Sequence, residues 1–409
     1  MTAPFQQPAL LGGEPTVDRS RWPSWPPRLP GLAEALTHVV DGDQWGVRSK
    51  TIRQFEDTFA QYHDAKYALA MANGTLALVA ALKALGVGSG DEVIVPAYTF
   101  LASATATLFT GATPVFADID ARTFNLNPRD AARRITPRTK AIMPVHVGGN
   151  PADMDAISDL AQKHRLAVIE DAAQAHGAIY NGTKVGSIGD VGCFSFQSSK
   201  NITSGEGGIL LTNDQQIYQR AYEIYNCGRT LEGPWYEHVA PGLNLRISAF
   251  QAAALLHQMP FLEEWAATRE ANGRYLEELL NTIPGITCAR RYPGTIRNAY
   301  HLLIFIYDSS YFDNLSKSRF LEALNAEGVV VTEGYRPLHS LPFLSPDTGQ
   351  GASGTSEPHS EMPITEKVCQ NGCWLRQFEL LADRSMMDGI AAAIRKIQAH
   401  AHQLHGIDS

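Results

Sequence analysis

From about residue 45 onward, short apolar runs alternate with stretches of helical period. Residues 91–100 (DEVIVPAYTF), 113–120 (TPVFADID), 140–149 (KAIMPVHVGG), 166–173 (LAVIEDAA), 190–196 (DVGCFSF) and 207–214 (GGILLTND) read as strands. Most are apolar on both faces, as in a sheet covered by helices. Helical patterns such as SATATLFTGA and DMDAISDLAQKHR lie between them. This alternation predicts an α/β fold, a three-layer α/β/α large domain with a mostly parallel sheet. In such sheets ligands sit beyond the carboxyl ends of the strands.

At Ser248 the pattern changes. Residues 248–283 are helical in period, and Pro260 is expected to break or kink that helix. Residues 299–308 read as a strand, 316–329 as a helix ending at Gly328, and 386–404 as a C-terminal helix, together a smaller α+β domain. Residues 1–30, with RWPSWPPRLPG, cannot form a regular helix interior. They read as an extended arm that packs its tryptophans on the body or on a second subunit. A polar Gly/Ser loop is expected at 345–363. The expected division is an arm and first helix over 1–44, a large domain over 45–258 and a small domain over 259–409.

The length of 409 residues suits a large domain plus a smaller one. A net charge of −8 gives no basic face for nucleic acid. The N-terminus lacks the basic start and apolar core of a signal peptide. No window reaches the roughly 20 apolar residues that a membrane helix needs. Five cysteines, odd in number and scattered, fit reduced thiols in the cytoplasm. Cys369 and Cys373 resemble half a metal site, but no second pair follows, so no metal is expected.

Four places carry chemistry. In MANGTLAL, Gly74 and Thr75 open a helix after a strand end, where free N–H groups and the helix dipole suit a phosphate. In VPAYTF, Tyr98 and Phe100 follow a strand stopped by Pro96, a place for a flat aromatic against a ring. In VIEDAAQAHG an apolar strand ends in Glu170-Asp171, where a buried carboxylate needs a partner. Gln174 and His176 follow, within reach of a cofactor or substrate. In VGCFSFQSSKNITSGEGG, Lys200 lies just beyond a strand end, five residues after Ser195. An amine in a partly apolar pocket has a lowered pKa and condenses with an aldehyde. Each feature alone is also read as an ordinary cap, core aromatic or surface lysine. A NAD(P) reading lacks its GxGxxG, since GSIGDVG at 186–192 has the wrong spacing.

In this order, the four motifs resemble the DegT/DnrJ/EryC1/StrS family of sugar and cyclitol aminotransferases, from about residue 10 to the C-terminus. The resemblance implies pyridoxal 5′-phosphate (PLP), the fold-type I architecture and a homodimer with shared active sites. It makes Lys200 the residue that forms the Schiff base and shuttles the proton. Asp171 pairs with the pyridine nitrogen and Gln174 contacts the ring hydroxyl. Ser195, Gly74 and Thr75 bind phosphate, and Phe100 stacks on the ring. In GLNLR, Asn244 reaches the neighbouring subunit's phosphate, with Arg246 as the alternative. His176, Arg229 of CGRT, and Tyr335 and His339 of YRPLHSLPF become substrate contacts. The implied reaction takes an amino group from glutamine or glutamate to a keto-cyclitol or keto sugar, in aminoglycoside-type biosynthesis. The alternatives are a nucleotide-linked 4-keto or 3-keto hexose aminotransferase and an aminobenzoate-forming synthase. The segments LLGGEPTV and RWPSWPP, and SFQ before the lysine, favour the cyclitol and aminobenzoate branch. A family dehydratase carries histidine where this chain has Lys200, which favours transamination.

Overall fold

The structure is a computed structural model that describes residues 7–42, 44–344 and 361–406. Most of the Gly/Ser segment expected at 345–363 therefore lies outside the described residues. The main sheet is built from β1 (Tyr67–Met71), β2 (Glu92–Pro96), β3 (Thr113–Ala117), β4 (Thr139–Ile142), β5 (Ala167–Asp171), β6 (Val191–Ser195) and β7 (Gly208–Thr212). Its seven strands run in the order β1-β7-β6-β5-β4-β2-β3. β3, β2, β4, β5 and β6 pair in parallel, and β7 runs antiparallel to both β6 and β1. Each strand expected from the apolar runs is present, trimmed at its ends. The run at 140–149 shrinks most, because Pro144 brings no amide to a ladder and the chain turns at Gly148 (φ 66°).

Apolar residues on both faces of a strand feed two separate cores. In β7, Ile209 and Leu211 enter one core with Phe55, Phe59, Phe194 and Phe196, while Leu210 enters the other with Leu78, Leu82 and Val95.

A single helix, Ala249–Leu280, runs past Pro260 without ending, which corrects the expected break there. Its start is fixed by a capping box between Ser248 and Gln251. Residues on both sides of the proline, Leu255, Met259 and Leu262, bury in the same core, so tertiary packing carries the helix through. Farther along, Leu276 and Leu280 join the core of the smaller body. The helix thus crosses the 258/259 boundary drawn from sequence.

The smaller body holds an antiparallel sheet of β8 (Ile286–Cys288), β9 (Leu302–Tyr307), β10 (Val331–Glu333) and β11 (Gly372–Arg376), ordered β8-β9-β11-β10. Helices Lys317–Ala326 and Arg384–Ala399 pack on it. The N-terminal arm docks here. Val17 is buried in this core, and Trp22 donates through Nε1 to the Gly328 carbonyl at 2.9 Å. The buried Glu327 carboxylate receives Ala9 N–H (2.8 Å), Thr16 N–H (2.9 Å), the Thr16 hydroxyl (2.6 Å) and the Lys396 ammonium (3.0 Å). Cys369 lies in the helix Pro363–Asn371 and Cys373 in β11, both as free thiols. Among the described residues, no helix is long and apolar enough to cross a membrane.

Candidate active site

The carboxyl ends of β1, β5 and β6 meet at one edge of the sheet. Register explains why. Met71 and Ser195 both face Gly208 of β7, and Asp171 pairs with Cys193, two residues short of Ser195. Gly208 carries no side chain because a Cβ there would lie 2.3 Å from the Asn73 carbonyl carbon. The turn after β1 therefore packs directly on β7.

That turn opens the helix Gly74–Ala84. Asn73 caps it by accepting from Leu76 N–H at 2.9 Å. The N–H groups of Gly74 and Thr75 find no acceptor among the described residues, as at any helix start without a ligand. Gly74 lies against the end of β6, where an added Cβ would come within 2.8 Å of the Ser195 Cβ. Two free amides, a hydroxyl and a helix N-terminus thus form a cradle of the right chemistry for a phosphate.

Lys200 sits on the loop between β6 and β7, half-buried, and its Nζ makes no hydrogen bond or ion pair among the described residues. Burial pulls its pKa down to about 8, and Asp171 is the charge that opposes this. The loop is clamped from behind by the long helix. Gln258 accepts from Thr203 N–H at 3.0 Å and donates to the Thr203 carbonyl at 2.6 Å.

Asp171 ends β5 and is 5% exposed. Burial raises its pKa. The Ser103 hydroxyl (2.7 Å to Oδ2), the Ala173 N–H (3.2 Å to Oδ1) and the Lys200 charge work against that rise. Ser103 escaped the sequence reading, since a serine in the first turn of a helix carries no distinguishing mark. The neighbouring Glu170 has no exposure and accepts four hydrogen bonds. These come from Gly186 N–H (2.7 Å), Ile188 N–H (2.8 Å), Gly189 N–H (2.7 Å) and His146 Nε2–H (3.0 Å). The His146 tautomer follows from its Nδ1, which accepts Ala152 N–H at 3.0 Å.

Gln174 accepts Gly148 N–H at 2.8 Å and donates to the Tyr335 hydroxyl at 3.0 Å. This bond joins two residues singled out separately in the sequence and ties the smaller body to the sheet edge. The Tyr335 ring packs edge-on to Tyr98 and Trp374, whose indole donates to the Tyr98 hydroxyl at 3.0 Å. Tyr98 is fully buried, whereas Phe100 is 59% exposed and open to a ring. His176 is fully buried against Phe194 and Phe196, and burial keeps it neutral. His339 lies 3.4 Å from Glu366, and no hydrogen bond joins it to Gln174 or Lys200. Arg229 stacks over Trp235 at 4.3 Å and donates to its carbonyl at 2.6 Å. Asn244 is exposed, bridged to Asn226, whose Oδ1 holds Arg246 at 3.0 Å. Among the described residues, neither Arg229 nor Asn244 hydrogen-bonds or ion-pairs with Lys200 or Asp171.

The arrangement is an amine beside a carboxylate at a strand edge, next to a phosphate-type cradle. Comparison with known proteins agrees with this chemistry. Residues 31–395 match the DegT/DnrJ/EryC1/StrS aminotransferase family. The L-glutamine:2-deoxy-scyllo-inosose aminotransferase of Micromonospora echinospora is 34% identical over 418 residues, covering 97% of this chain and 99% of that one. An enzyme of the same name from Streptoalloteichus tenebrarius is 35% identical over 428 residues, covering 97% and 98%. Among solved structures, 3-amino-5-hydroxybenzoic acid synthase superposes with a TM-score of 0.84 at 32% identity, covering 93% of this chain and 98% of that one. Matched along nearly its whole length in sequence and fold, the chain belongs to the DegT/DnrJ/EryC1/StrS aminotransferase family.

Proposed function

We propose that this aminotransferase uses PLP to move an amino group from glutamine or glutamate to a keto-cyclitol of the inosose type. The observation that carries the cofactor reading is the grouping of Lys200 and Asp171 with the Gly74–Ser195 cradle at one sheet edge. The residues present fit the group. The amides of Gly74 and Thr75 and the Ser195 hydroxyl would hold its phosphate, and Phe100 would cover one ring face. Gln174 would meet the ring hydroxyl, and Asp171 the pyridine nitrogen. When bound, PLP supplies an electron sink for the carbanion left by proton removal.

The chain's own groups do the rest. Lys200 Nζ, uncharged above about pH 8, would hold the cofactor's aldehyde carbon and would take and return the proton at the substrate carbon. Asp171, whose carboxylate is partnered by donors rather than by a fixed cation, would hold a proton on the ring nitrogen. Gln174 is held in one orientation by Gly148 and Tyr335. His176 supports the lysine side of the pocket, and Tyr335 and His339 border the acceptor. The five free thiols support a cytoplasmic setting.

The acceptor reading rests on relatives that share about a third of their residues with this chain along its length. In the test, the purified chain is supplied with PLP, L-glutamine or L-glutamate, and 2-deoxy-scyllo-inosose. A 4-keto nucleotide hexose and an aminobenzoate precursor serve as parallel acceptors. The expected result is an aminated cyclitol, lost by at least ~10³-fold in Lys200→Ala. A chain that takes up no PLP defeats the cofactor reading; turnover of only the hexose or the aromatic precursor defeats the acceptor reading.

We also propose a homodimer in which Asn244 reaches the partner's phosphate cradle and Arg229 the donor carboxylate. The exposure of Asn244 supports this. Mixing inactive Lys200→Ala and Asn244→Ala chains should restore about a quarter of parent activity through hybrid dimers. No recovery after subunit exchange sinks the shared site.

A further inference from the structure

The helix Ala102–Phe109 begins just after Phe100, with one buried hydroxyl, Ser103, in its first turn and another, Thr99, just before it. Ser103 is fully buried and its Oγ lies 2.7 Å from Asp171 Oδ2. The same Oγ is 3.2 Å from Thr99 Oγ1 and 3.4 Å from the Phe100 carbonyl. A serine hydroxyl has one proton. The shortest use of it is the charged acceptor, Asp171. Thr99 then donates to Ser103, so the hydrogen bonds run in one direction, from Thr99 to Ser103 to Asp171.

We propose that Ser103, oriented by Thr99, is a positioning residue that keeps the Asp171 carboxylate ionised and aimed, so that the proton of the pair stays on the cofactor nitrogen. The inference rests on the PLP reading above and extends it to residues outside the cofactor's own contacts. A carboxylate with the burial of Asp171 drifts toward its neutral form unless donors hold it charged. Among the described residues, Ser103 and the Ala173 amide alone donate to it. The remaining groups facing it are the Lys200 amine, the His146 ring, the Cys193 thiol and the Tyr335 hydroxyl. Without the Ser103 donor, Asp171 becomes the more basic partner and draws the proton off the ring. The ring then withdraws electrons less well. Because Thr99, Phe100 and Ser103 share one turn, the segment that covers the ring face also sets the acidity behind the ring.

The full chain is loaded with PLP labelled with ¹⁵N in the ring, and the nitrogen signal is followed from pH 6 to 9. Parent protein should show the protonated nitrogen across that range. In Ser103→Ala the signal should move toward the unprotonated position, PLP should dissociate about tenfold more readily, and kcat should fall about tenfold with the KM for glutamine unchanged. Ser103→Thr should restore all three. Thr99→Val, which removes only the outer link, should shift the signal in the same direction by a smaller amount, and it serves if Ser103→Ala does not fold. A PLP-loaded Ser103→Ala chain with the parent's nitrogen signal and affinity overturns the inference and leaves the PLP reading standing. A parent chain that binds no PLP overturns both.

Discussion

Glu170 and Asp171 are neighbours at the end of one strand, and their carboxylates point to opposite faces of the sheet. Both are buried, yet they are treated differently. Glu170 accepts four hydrogen bonds, about as many as a carboxylate has lone-pair sites. It pins the 186–189 turn and the His146 loop to the strand and has nothing left to offer. Asp171 accepts two and keeps capacity on the side facing Lys200. A saturated buried carboxylate is a fastening. One left partly open can bind a further group or hold a proton at it. The count of donors, more than burial, separates the two.

The contrast can be broken most directly at Asp171. Asp171→Ala should lower kcat/KM by about 10³-fold while leaving the unfolding midpoint close to the parent's. A collapse in stability would mean that Asp171 is a fastening too. At Glu170 the pattern should invert. Glu170→Ala strands three amides and a histidine and should cost about 3 kcal/mol in denaturant unfolding, with activity per folded molecule retained. An equally stable variant would remove the distinction. His146→Phe takes away only one of the four donors and should cost about 1–2 kcal/mol by the same measurement.

The mildest test uses pH. Because Lys200 is drawn down to about 8, the rate of PLP capture should rise roughly tenfold per pH unit below that value and level off above it. The sign for stability follows by linkage. Between about 8 and the ordinary 10.5, the unfolded chain holds the extra proton, so the PLP-free protein should gain stability as pH rises through that window and lose it as pH falls through 8. Lys200→Met should abolish this dependence; if it persists unchanged, another group is responsible.

The sheet and its chemical edge were legible because strand-end motifs are local. The apolar run before Asp171, the Gly-Thr opening a helix and the lysine after Ser195 each announce themselves within a few residues. What pairs across the fold did not. Ser103 meets a carboxylate 68 residues away, and Gln174 meets Tyr335 161 residues away. Residue type marks Gln174 and Tyr335 as candidates but says nothing of their bond, while a serine in a helical first turn is commonplace. Pro260 misled for a related reason. A local rule against proline in helices was outweighed by burial of Leu255, Met259 and Leu262 around it. The arm reads as an extended segment docked by its tryptophans, and only tertiary contact reveals Val17 inside the smaller core.

The helix from Ala249 to Leu280 has one more consequence. A rod common to both halves leaves no slack joint between them, and Arg269 and Asn272 on it fasten directly to Gln377, Leu380 and Ala382. A clamshell motion would have to bend that rod. If that rod stays straight, small molecules would have to pass by the rim, where residues 231–239 form a continuous exposed stretch.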